Sequence, residues 1–128
     1  MNKIATKLTL LSLVILSLGV LHSCKNKNPS VIKIFVRSAS NELVPGAKVV
    51  IIADPDVNPT STLYVDTVVT NESGFAYFNV QPYYDEVGAE ENPVAYFDLV
   101  VKTDTKTALG RIRSRVHTTA VETVFLPN

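Results

Sequence analysis

The sequence predicts an all-β domain, a seven-stranded antiparallel Greek-key β-sandwich. Three observations lead there: short runs that alternate apolar and polar residues, turn signals between them at regular spacing, and no segment with a sustained, capped helical period. "VIKIFVRS" opens the pattern, setting Ile32, Ile34 and Val36 against Lys33, Phe35 and Arg37, as expected of a strand with one buried and one wet face. "AKVVIIA", from Ala47 to Ala53, is β-branched and nearly continuous, the composition of a central strand. "LYVDTVVT", "GFAYFNV", "VAYFDLVVKT", "LGRIRSRV" and "AVETVFL" supply the other five. Seven short strands in one domain suit a sandwich.

The first 30 residues have a different composition. "MNKIATK" carries Lys3 and Lys7 with no acid, and "LTLLSLVILSLGVL", Leu8 to Leu21, is uncharged. This is the layout of an export signal. The apolar run is shorter than the roughly 20 residues that cross a bilayer as a helix. Residues 1–23 are therefore expected to be a cleaved signal peptide rather than a retained membrane helix. The single cysteine, Cys24, stands at its end, preceded by Leu21, His22 and Ser23.

Leu21-His22-Ser23-Cys24 resembles the lipobox of bacterial lipoproteins, with an aliphatic residue three places before the cysteine and a small one directly before it. His22 departs from the usual small residue at its place. The resemblance implies that the Cys24 thiol receives a diacylglyceryl group, that cleavage makes Cys24 the first residue, and that its amino group is acylated, with palmitate as the expected fatty acid. Two or more acyl chains hold a protein stably at a membrane where one does so marginally. Lys25 stands where an inner-membrane retention aspartate would be, so the resemblance implies delivery to the outer membrane, facing the periplasm. Lysines in place of an acidic cluster make the cell surface the alternative. "KNKNPS" completes a lipidated tether over 24–30, and residues 31–128 form the domain.

With Cys24 committed to lipid, no disulfide is left to hold the exported domain, and its core must suffice. Loss of Lys3 and Lys7 leaves ten basic side chains against twelve acidic ones. That balance argues against a nucleic-acid partner.

Two joints resemble the carboxypeptidase regulatory-like or transthyretin-like (prealbumin-like) Ig-like sandwich: "NELVPGAKVVI", beginning at Asn41, and "TNESGFAYFNV", Thr70 to Val80. Its marks are Pro45, Gly46 and Ala47, then Thr70, Asn71 and Gly74. The same residues make physical sense as turns. Pro45 fixes φ, Gly46 and Gly74 admit positive φ, and the Asn71 side chain can accept a backbone hydrogen bond.

If Ala76, Phe78 and Val80 face the core, Phe75 and Tyr77 face outward, either covered by a neighbouring strand or loop or free to bind a partner. "QPYYDEVGAEENP", from Gln81 to Pro93, reads as a long loop. Tyr83 and Tyr84 in it are candidate recognition residues, unless the loop is merely solvated. Arg111, Arg113 and Arg115 alternate along a strand and so share one face. There they either bind phosphate or carboxylate, pair with acids such as Asp98 or Glu122, or protect an edge strand.

"DPDVNP", Asp54 to Pro59, starts like a calcium loop, but Pro59 and Val65 occupy the places that need glycine and glutamate. No metal or other cofactor is expected. After signal removal His117 is the one histidine, and no nucleophile elbow or zinc helix exists, so the chain is expected not to be an enzyme. The expected function is that of a lipid-anchored envelope module binding or scaffolding a protein or glycan. The alternatives are a structural subunit of a membrane assembly that pairs through an edge strand such as Val31 to Ser38, and, last, a small hydrolase.

Overall fold

The computed structural model describes residues 3–4, 28–53, 56 and 63–128. Seven strands form there: β1 (Val31–Arg37), β2 (Lys48–Ala53), β3 (Val65–Val69), β4 (Phe75–Asn79), β5 (Val94–Lys102), β6 (Thr107–Arg115) and β7 (Thr119–Phe125). A short helix, α1 (Gln81–Val87), lies between β4 and β5. Among the described residues no helix is long and apolar enough to cross a membrane.

The strands make a three-stranded sheet in the order β4-β1-β7 and a four-stranded sheet in the order β3-β2-β5-β6. Alternation places one face of each against a shared core. Ile32, Ile34 and Val36 of β1 and Ala76 and Phe78 of β4 meet Val49 and Ile51 of β2 and Phe97, Leu99 and Val101 of β5. All of these are buried, as the period of two requires.

The turn chemistry is as the sequence suggests. Gly46 and Gly74 have φ of 76° and 70°. The Asn71 side-chain oxygen accepts from the Ser73 and Phe75 amides at 3.0 and 3.3 Å. Thr70 ties this turn to the first one: its hydroxyl donates to the Val44 carbonyl at 2.7 Å and accepts from the Ala47 amide at 2.9 Å. The two resembling motifs thus meet at one end of the sandwich.

Three expectations are corrected. The sandwich is not wholly antiparallel, because β7 runs parallel to β1. The tight 116–118 turn crosses from one sheet to the other at the end where β1 begins, so β7 leaves that end in the same direction. β1 is also no edge strand, since β4 and β7 flank it. Finally, the first part of the 81–93 loop is α1, opened by Pro82 near its start and closed by Gly88 at φ 80°, whose amide donates to the Tyr84 carbonyl at 3.1 Å.

Ser30, expected in the tether, is fully buried. Its amide and hydroxyl both donate to Gln81 Oε1, at 3.0 and 2.8 Å, and its hydroxyl accepts from the His117 amide at 2.7 Å. Fixed chain therefore begins before β1, at the end of the sandwich that holds α1.

Candidate functional site

Tyr83 and Tyr84 are not available to a partner: their exposures are 2% and 0%. α1 turns both toward the sheets, where Tyr83 packs edge-on to Tyr64, Tyr84 and Phe97 with ring centroids 5.2–5.4 Å apart. Burial pushes the Tyr84 phenol above the usual tyrosine range, with Tyr83 adding to the rise and Ser114, Ala95 and Arg113 opposing it. The Tyr64 phenol is raised as well, by burial and then by the charge of Asp66. These phenols are part of the core. The acidic residues after α1 border a cavity of about 490 Å³ with Gln81, Tyr84 and His117, open at the end where the chain enters.

Phe75 and Tyr77 do face outward, and they are not alone. The cross-strand register puts Tyr77 opposite Lys33, Lys33 opposite Val121, Phe75 opposite Phe35, and Arg37 opposite Phe125. Tyr77 is 52% exposed, and Val121 and Phe125 are more than half exposed. Phe35 and Phe75 are half-buried, with centroids 5.5 Å apart. Lys33 Nζ lies 3.9 Å from the Phe75 centroid and 5.0 Å from that of Phe35, a cation held over two rings. The outer face of the three-stranded sheet is thus an aromatic patch with a cation at its centre. Sequence reasoning found Phe75 and Tyr77 but missed Lys33, Phe35, Val121 and Phe125, because only the pairing of β4, β1 and β7 brings them together.

Arg111, Arg113 and Arg115 lie exposed on one face of β6, as their spacing requires, with Ile112 and Ser114 buried on the other. Arg111 stands opposite Asp98, Nε to Oδ1 at 3.9 Å, and its guanidinium is 5.5 Å from the Tyr96 centroid. This row belongs to the four-stranded sheet, on the opposite side of the molecule from the aromatic patch. His117 sits in a turn at φ 59°, with Nδ1 2.7 Å from the Asn28 carbonyl oxygen. Cys24 lies outside the described residues, as do Asp54 and Asn58 of the calcium-like segment. Among the described residues no three His, Cys, Asp or Glu side chains gather as a metal site would need.

A scan against models of known protein families finds no match, and a search of curated proteins finds none. Solved structures with a similar course of the chain include catechol 1,2-dioxygenase from Acinetobacter sp. ADP1, inhibited by bound mercury, at 11% identity, and chlorocatechol 1,2-dioxygenase from Pseudomonas putida, at 13%. Both superpose with a TM-score of 0.49, over 83% and 84% of this chain but 55% and 63% of theirs. The chain therefore spans less than two thirds of either. Both are enzymes, which corrects the expectation that the chain is not one, and that exclusion is withdrawn. At this TM-score the likeness assigns no activity, substrate or site.

Proposed function

We propose that the chain is a lipid-anchored envelope protein that binds another envelope protein through the outer face of its three-stranded sheet. The observation that carries this reading is the patch of Tyr77, Phe125 and Val121 around Lys33, Phe35 and Phe75. Aromatic residues left in water over a contiguous area mark an interaction surface, and their large rigid contact area makes them the usual anchors of protein interfaces. A protein is favoured over a glycan because Tyr83 and Tyr84, on which a sugar-binding loop would rely, are in the core.

The anchor in this reading is Cys24, acylated after removal of residues 1–23, with the protein in the outer membrane and facing the periplasm. Its support is the Leu21 to Cys24 pattern and Lys25 after it. The fold in this reading is a Greek-key sandwich of the transthyretin-like kind. Supporting it are the Pro45-Gly46-Ala47 and Thr70-Asn71-Gly74 turns, which are bonded to one another.

Affinity capture of the tagged full chain from solubilised native membranes tests the binding face. A co-purifying protein that is lost on Tyr77→Ala with Phe125→Ala, while the unfolding temperature is unchanged, is the expected result. Retention of the partner by that double variant, or its release by polysaccharide alone, contradicts it.

A further inference from the structure

The outer face of the four-stranded sheet carries a second chemistry. One cross-strand row reads Thr67, Val50, Val100 and Leu109, and the next Val65, Ile52, Asp98 and Arg111. Leu109 is 76% exposed, and Val65 and Val69 are more than half exposed. An aliphatic strip therefore crosses the sheet in water. Cations rim it: Arg111, Arg113 and Arg115 along β6, and Lys48 and Lys102 toward the other end. Asp98 is the one carboxylate that these four strands turn outward.

Lys48 and Lys102 are direct cross-strand partners. Like charges in that relation destabilise a sheet unless an anion relieves them. They border a cavity of about 330 Å³ with Gly46, Val69, Thr103 and Asp104. The positive charge is local, because acids outnumber bases after residue 23.

We infer that this face seats on an anionic lipid surface, with headgroup phosphates against the lysine pair and the β6 arginines and the aliphatic strip at the headgroup boundary. Charge selects this occupant. A second copy of the same face would set five cations against five, whereas an anionic bilayer offers phosphate to the rim and its headgroup boundary to the strip between. The inference rests on the lipid-anchor reading for the nearness of a membrane. Ser30 and His117 fix the entering chain beside the end of β6, and from Cys24 to Asn28 the chain reaches at most about 14 Å. Such a leash keeps the sandwich close to its membrane, and the aromatic patch, on the other sheet, would then point away.

The full chain, purified with its native N-terminus, is reconstituted with vesicles of phosphatidylcholine alone or mixed with phosphatidylglycerol. Leu109→Cys and Val121→Cys are labelled with a water-soluble maleimide. Each basic residue near an anionic surface shifts the ratio of seated to unseated protein roughly fivefold, so labelling at Leu109→Cys is expected to slow by at least that factor in the anionic vesicles. Labelling at Val121→Cys, on the far sheet, is expected to stay constant, and Arg113→Glu with Arg115→Glu is expected to restore the fast rate at Leu109→Cys. Equal labelling of Leu109→Cys in both vesicles overturns the inference, as does protection found only in native membranes, which would point to a protein. Failure to float with neutral vesicles defeats the anchor reading alone. In that case flotation with anionic vesicles that charge reversal abolishes still supports the face, and no flotation with either kind overturns both.

Discussion

Tyr77, Tyr83 and Tyr84 are close in sequence and differ in what they do, because two of them ride on α1. Tyr84→Ala is expected to destabilise the fold by about 3–5 kcal/mol, the usual cost of emptying a large buried site. Tyr77→Ala, at an exposed position, is expected to change stability by less than about 0.5 kcal/mol. Urea unfolding of the two variants measures both. The glycines of the resembling turns differ in a similar way. A Cβ on Gly74 would sit 3.0 Å from Leu43 Cβ and 3.2 Å from the Val44 amide nitrogen, at a φ of 70°. A Cβ on Gly46 would meet nothing within 4 Å. Gly46→Ala is therefore expected to cost about 1–2 kcal/mol for its positive φ alone, and Gly74→Ala measurably more in the same assay. The raised Tyr84 phenol also has a consequence for pH. Its proton is held more tightly in the folded chain than in the unfolded one, so its contribution to stability is complete below the ordinary tyrosine value, about 10, and is lost as pH rises through the folded value. Unfolding temperature is expected to fall in that alkaline window, and less steeply in Tyr84→Phe.

At the scale of elements, the strands were legible because alternation is local. Each inward set, from Ile32, Ile34 and Val36 to Ala76 and Phe78, can be read along a single segment. α1 was not legible, since seven residues hold too few turns to display a period, and Tyr83 and Tyr84 read equally well as loop aromatics. The sequence did contain its boundary signals, Pro82 at the start and Gly88 just beyond the end. The parallel pairing of β1 with β7 was hidden for a different reason: strands at opposite ends of the chain carry no mark of the direction in which they will meet. The same holds for the aromatic patch, whose members come from β1, β4 and β7. The entering chain offers a test at this scale. Ser30→Ala removes a hydroxyl that donates to Gln81 Oε1 and accepts from the His117 amide; Gln81 Oε1 keeps the Ser30 amide, but the half-buried His117 amide loses its acceptor, at a cost of about 1–3 kcal/mol. Hydrogen exchange at the Val31 and His117 amides is expected to accelerate in that variant, while exchange in β5 keeps its place in the slowest class.

For the whole molecule, two sheets that share one core present outer faces of opposite character. The three-stranded sheet turns out aromatic rings around a lysine, and the four-stranded sheet turns out aliphatic residues rimmed by arginine and lysine. The binding claim rests on the first of these. Photo-crosslinking from a benzoylphenylalanine placed at Tyr77 in the full chain, in its native membrane, tests it most directly. A discrete crosslinked protein, absent when the same group replaces the exposed Thr107 on the other sheet, is the predicted result. Crosslinking from Tyr77 that yields no protein adduct, or the same adducts as Thr107, would contradict it.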